Sequence, residues 1–307
     1  MTRGTHGDKI VAAITSDKTP TNDKSRLLTA LNVYDNWVTQ LKTIDATTTD
    51  ELIEKMVALL NDYKLYIDVD LIFDSPEDFL YRQKGQLKLD NTVMEEFLPI
   101  FVRRCIEKET GTCNLTISSQ TPTFSSIYFA SSLSSPEKGG GICIKTKDQD
   151  FSMSRTLYLK SSYSPDFIES ETVQLTTHLG YVLAELKTNL DKTMFQEASA
   201  TAHDIKQAVT GAKYYLLCDW LDMTPISTTT TDIDEILLVR KAKRISSNIR
   251  KTYSTYSGRQ RARASYIAYL QEHPYSVDVF KRFIDHIVSQ MHNEALIEDS
   301  VLNIGYF

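Results

Sequence analysis

The segment Tyr181-Val182-Leu183-Ala184-Glu185-Leu186-Lys187 is the tightest constraint in this chain. It reads as a buried β-strand that ends in a carboxylate and an ammonium two residues apart. Side chains alternate faces along a strand, so Val182, Ala184 and Leu186 point into a core while Glu185 and Lys187 project together on the other side. An apolar strand closed by Glu-x-Lys is what a metal-dependent nuclease needs: the carboxylate holds a divalent cation, and the ammonium stands beside the water that attacks a phosphodiester.

The surroundings of that strand read as alternating structure. Ile142-Cys143-Ile144-Lys145-Thr146 leads into Lys147-Asp148-Gln149-Asp150-Phe151, and Arg155–Lys160 alternates as a hairpin partner. A helix follows the Glu-x-Lys strand from Leu190 to Val209, with Leu190, Met194, Ala198, Ala202, Ile205 and Val209 on one stripe; Gly211 ends it. Tyr214–Cys218 and Ile233–Val239 are then buried strands. Upstream, apolar residues at helical spacing predict helices from Ser25 to Leu41, from about Asp50 to Ile67 and from about Thr92 to Glu107. Residues 1–24 show no periodicity and are expected to form a flexible arm. Residues 111–140 are rich in Ser, Thr and Pro, with a short strand over Thr123–Phe129. Helical signals return over Arg259–Leu270 and Val277–Met291. The chain is thus divided as 1–24, arm; 25–110, helical region; 111–245, strand-rich core; and 246–307, basic segment and C-terminal helices. The fold class is α/β (α+β), with a mixed central sheet.

A Glu-x-Lys site needs a further acid on a neighbouring strand. Asp148, Asp150 and Asp166 compete for it. Asp166 follows Pro165 and literally spells Pro-Asp…Glu-x-Lys, but Ser164–Glu171 has the Pro and clustered acids of a solvated loop. Asp150, at the end of the run from Ile142 and backed by Phe151, is preferred, with Asp148 adjacent. Glu197, at the edge of the apolar stripe on the following helix, is a fourth candidate for metal binding or for orienting the water. The oxygen-rich donor set suits Mg²⁺. No Ser/His/Asp or Cys/His arrangement is evident, and Cys105, Cys113, Cys143 and Cys218 form no Cys-x-x-Cys pair.

With 307 residues, 41% hydrophobic and 24% charged, the composition suits a globular protein. No stretch approaches the ~20 apolar residues that span a bilayer, and the N-terminus lacks a signal-peptide core, so a cytoplasmic location with no membrane partner is expected. The net charge of −6 argues against a nucleic-acid binder, but its distribution does not. Residues 240–263 carry Arg240, Lys241, Lys243, Arg244, Arg250, Lys251, Arg259, Arg261 and Arg263 without one acid. Tyr253 and Tyr256 interleave with them. Such a segment suits phosphate contacts, with Arg available for guanine edges.

Lys147–Phe151, Ala184–Lys187 and Met194-Phe195-Gln196-Glu197-Ala198, followed by Tyr214–Leu221 and Thr231–Arg240, form an ordered series. It resembles the heterodimeric type II restriction endonucleases of the BbvCI and Bpu type over about residues 140–245. The resemblance implies a PD-(D/E)xK nuclease core and double-stranded DNA as substrate. It also implies Mg²⁺ as cofactor, a bacterial source and a second, similar subunit, each subunit cutting one strand of a short asymmetric site. The matched positions are Asp150 (with Asp148 adjacent), Glu185, Lys187 and Glu197; Gln149 stands where the family signature has proline. A homodimer would instead imply a palindromic site by symmetry. Two other readings remain: a repair or mobile-element nuclease on the same core, and a non-catalytic DNA-binding protein.

Overall fold

A computed structural model describes residues 3–292, together with 302, 303 and 305. The first third is helical: α1 (Thr5–Thr15), α2 (Thr21–Thr43), α3 (Thr49–Leu65), α4 (Asp78–Leu87) and α5 (Thr92–Thr110). The hydroxyl of Thr48 caps α3 by accepting from Glu51 N–H. α3 then widens into a π-helical stretch over Tyr66–Phe73, closed by a hydrogen bond from Asp74 N–H to the Val69 carbonyl.

Among the described residues, seven strands form one mixed sheet: β1 (Thr116–Ser118), β2 (Thr121–Phe129), β3 (Ile142–Gln149), β4 (Phe151–Ser161), β5 (Val173–Leu190), β6 (Lys213–Leu221) and β7 (Glu235–Lys243). β4 and β5 are antiparallel, whereas β5, β6 and β7 run parallel. β2 and β3 form an antiparallel pair that joins β5 through Thr123 and His178. The parallel step from β5 to β6 requires a crossover, supplied by α6 (Lys192–Ala208). Asp191 caps α6 through Met194 N–H, and the α6 stripe Phe195, Ala198, Ala202 and Ile205 packs on Leu183, Tyr214, Leu216 and Cys218. α7 (Ser247–Thr252), α8 (Tyr256–Glu272) and α9 (Val277–Met291) complete the described chain.

The opposite face of the sheet meets the helices. Val182, Ala184, Tyr215 and Leu217 share a continuous core with α2, α3, α5 and α9. Phe280 of α9 packs edge-on to Phe97 and Phe101 of α5, and Phe283 packs edge-on to Phe151 and Tyr215 of the sheet. The four segments read from composition therefore divide the chain and not the core. No helix among the described residues is long and apolar enough to cross a membrane.

Two parts of the helical region depart from the sequence reading. Residues 5–24 are not an arm. α1 docks through Ile10 and Ala13, and His6 is wholly buried, its ring nitrogens 2.9 Å from the hydroxyls of Thr92 and Tyr63. Burial, helped by the Lys64 charge, lowers the His6 pKa to about 3, so the ring is neutral. Two small or aliphatic residues and a histidine leave too faint a stripe to read. α4 escaped for the same reason, since Leu80 is its one fully buried residue.

Candidate active site

The site stands where the β4–β5 ladder ends. Phe151 pairs with Ala184, and one further step of that register sets Asp150 opposite Glu185. Asp150 lies at the bend where the chain leaves β3, paired with β2, and enters β4, paired with β5. There its Oδ2 accepts from Leu186 N–H at 2.9 Å, ending the ladder with a side chain in place of backbone. Glu185 and Lys187 share the face of β5 that looks toward α6, as strand alternation requires. Lys187 Nζ lies 2.6 Å from Glu185 Oε1, while the buried Tyr214 of β6 donates its hydroxyl to Glu185 Oε2 at 2.9 Å. Both carboxylate oxygens of Glu185 are thus held.

Burial raises the Asp150 pKa, and the nearby Glu185 adds to this; the Leu186 N–H bond and Lys187 only partly offset it. Lys187 runs the other way. Burial opposes its charge, but the Glu185 hydrogen bond and the charges of Glu185, Asp150 and Glu197 outweigh this and hold it above the usual lysine range. Lys187 is accordingly an ammonium at neutral pH. The Tyr214 hydroxyl is pushed far up by burial and by Glu185, so it remains a donor.

The other acids stand apart. Glu197 is exposed on α6; it reaches Lys187 through its charge and makes no side-chain hydrogen bond among the described residues. Asp148 is exposed on β3 and has neither an ion pair nor a side-chain hydrogen bond among the described residues. Asp166 lies in the loop beyond Ser161, which pairs with Val173, ten ladder steps from Phe151. At ~3.3 Å per residue this loop begins roughly 33 Å from the Glu-x-Lys end. The literal Pro165-Asp166 pair cannot meet Glu185. Among the described residues, no group of three or more His, Cys, Asp or Glu side chains is gathered as a metal cage. What remains is Asp150 and Glu185, with the Leu186 carbonyl between Glu185 and Lys187 in sequence. These hard oxygen donors fit a cation that keeps several of its waters, as Mg²⁺ does.

The sequence reading missed two neighbours. Tyr214 was assigned only to a buried strand. Glu95 of α5 is 4% exposed and accepts from Gln120 Nε2 at 3.1 Å; burial and the Asp150 charge raise its pKa. Its available signal was an acid pair, Glu95-Glu96, directly against Phe97 and Leu98 in an apolar helix face.

The basic segment splits. Arg240 and Arg259 are interior residues, which removes them from the set offered to DNA phosphates. Arg240 donates to the His273 carbonyl and lies 4.0 Å over the Tyr275 ring. Arg259 is fully buried and donates to the carbonyls of Phe73, Ser75, Glu77 and Tyr253 and to Asp78. Arg263 forms a bidentate pair with Asp74. Lys241 and Arg244 pair with Asp278 and Asp222. Lys243, Lys251 and Arg261 are exposed, and Arg250 is half-buried; none has a carboxylate partner among the described residues.

A mixed sheet flanked by helices is consistent with a restriction endonuclease, and the match to a family model gives that class. A family model described as Bpu10I restriction endonuclease matches residues 86–307, and the chain belongs to that family of type II restriction endonucleases. A solved structure titled "native BbvCI A2B2 tetramer at low resolution" is similar at 19% identity, covering 80% of this chain and 93% of that one, with a TM-score of 0.35. A search of curated proteins returns no match.

Proposed function

We propose that this chain is one subunit of a Mg²⁺-dependent type II restriction enzyme, and that it hydrolyses one strand of double-stranded DNA at a short specific site. The observation that carries the reading is the junction of Asp150, Glu185 and Lys187 at one ladder end, tied by the Asp150–Leu186 hydrogen bond. Asp150 and Glu185 would hold the cation with the Leu186 carbonyl. When bound, Mg²⁺ polarises the phosphate and lowers the pKa of water. The chain's own residues do the rest. Tyr214 and Lys187 fix the Glu185 carboxylate. Lys187, charged at neutral pH, orients the attacking water and offsets negative charge building on the phosphate. Water adds across one P–O bond: its hydroxyl goes to phosphorus and its proton to the departing sugar oxygen. Lys243, Arg250, Lys251 and Arg261, which have no carboxylate partner among the described residues, supply the phosphate-facing charge, and Lys241, Arg244 and Arg263 join them by exchanging their carboxylate partners for phosphates.

One chain carries one such site and cuts one strand, so double-strand cleavage calls for a second copy or a similar partner subunit. The test is digestion of supercoiled plasmid. Discrete nicking by the chain alone, or linearisation with a partner, is expected with Mg²⁺ and is abolished by chelation. Lys187→Ala is expected to eliminate cutting while leaving DNA affinity within a few-fold. Full cutting by that variant, or a smear of sizes from the natural chain, would overturn the proposal.

A further inference from the structure

A cavity of about 280 Å³ opens beside the Glu-x-Lys end. Its wall includes Thr188 and Asn189, which follow Lys187 on β5, while Asp150, Glu185 and Lys187 do not line it. The volume lies at the lower edge of small-ligand cavities. It suits one nucleotide unit and not a stacked base-pair step.

The lining has two chemistries side by side. Tyr81, Tyr253, Tyr266 and Trp220 bring four aromatic rings from α4, the end of α7, α8 and β6. Tyr253 and Tyr266 lie 5.7 Å apart, tilted by 57°. Arg244 and Arg250 enter from the loop after β7 and from α7. The Arg250 guanidinium donates to the Ile245 carbonyl and has no carboxylate partner among the described residues. Lys84 and Asp90, also in the wall, neutralise each other at 3.2 Å, as do Lys64 and Asp68. Arg244 is paired with Asp222 at 2.9 Å, so the surplus charge is that of Arg250. Asn91 also lines the wall.

We infer that this cavity binds a single deoxynucleotide unit, its base among the tyrosines and Trp220 and its phosphate on Arg250, with Arg244 beside it exchanging Asp222 for the phosphate. The inference deepens the nuclease reading and rests on it for the source of the ligand: a nucleotide of the substrate strand, unstacked next to the cut, or a free mononucleotide. Stacking on protein aromatics is worth roughly ten- to hundredfold in affinity per base. A base entering such a pocket must leave its stack, which is least costly where it is already unpaired.

The test uses the full chain carrying Lys187→Ala, so that binding is read without cutting. Titration calorimetry compares deoxynucleoside 5′-monophosphates, deoxynucleosides and inorganic phosphate. Saturable binding of the monophosphates, at least tenfold tighter than either fragment, is expected. The Arg244→Ala/Arg250→Ala pair, checked for an unchanged melting temperature, should weaken it tenfold or more. A DNA duplex with a one-nucleotide bulge that displaces the monophosphate, while the fully paired duplex does not, assigns the ligand to the DNA strand. Monophosphate binding without that displacement assigns it to the free nucleotide. No saturable monophosphate binding, binding matched by phosphate alone, or binding unchanged in the double variant would each overturn the inference. None of these depends on cleavage, so the failure of the pocket and the failure of the nuclease reading are separable.

Discussion

Asp150 is kept near Glu185 at a cost to folding. Burial and the neighbouring carboxylate raise its pKa in the folded chain. A carboxyl raised on folding withholds stability above its folded-state pKa and none below its unfolded value. Asp150→Asn is therefore expected to melt higher than the natural chain at neutral pH. The gap should close as pH falls through the raised pKa toward the ordinary aspartate value, and cutting should be lost at every pH. Thermal melts across pH 3–8 check the sign. Asp166→Ala, about 33 Å away by strand length, should leave both cutting and stability unchanged. Tyr214 acts through Glu185. Tyr214→Phe strips the donor from Oε2 and is expected to raise the Mg²⁺ requirement about tenfold, in the range seen for groups that orient metal ligands. Mg²⁺ half-saturation measured apart from kcat separates this from mere loss of stability. At this scale the sequence was legible where period decides: two-residue spacing put Glu185 and Lys187 on one face. It was silent on Tyr214, whose hydrogen bond to Glu185 closes over 29 residues of chain, and for Glu95 it offered an acid pair in an apolar face but not the strand end whose charge it feels.

The elements that read well are those whose burial is one-sided and dense. α6 and α9 show full apolar stripes and were legible to within two or three residues. The parallel strands β6 and β7 showed as apolar runs because both faces are covered. α1 and α4 were missed because each buries few large residues. The basic run misled in part for a related reason: charge says nothing about direction. Arg259 holds the N-terminal turn of α8 against the carbonyls that follow the π-helical stretch. Arg259→Ala leaves several buried carbonyls without donors, and each costs about 1–3 kcal/mol. A loss of about 3 kcal/mol or more is expected in urea unfolding, with Arg259→Lys recovering little because an ammonium cannot span the same acceptors.

At the scale of the whole molecule, the helical half and the sheet bury each other. Lys64 and Asp68 from the helices meet Arg240 from β7 and, through Tyr275, Asp219 from β6. Two tryptophans report the halves separately: Trp37 stacks on Tyr63 among the helices, and Trp220 lies on β6. Urea unfolding of Trp37→Phe and Trp220→Phe variants, each leaving one reporter, is expected to show a single transition per protein whose slope is the same for both. Unequal slopes or two resolved steps would show independent halves. The shared core through Phe280 and Phe283 also decides what can be transplanted. A cutting module lifted out at residue 111 would carry an uncovered apolar face, and a helical module left behind would lack its floor. New sequence preference in this scaffold has to be engineered in place, by altering side chains around an intact body. It cannot be had by trading whole cassettes between a reader and a cutter.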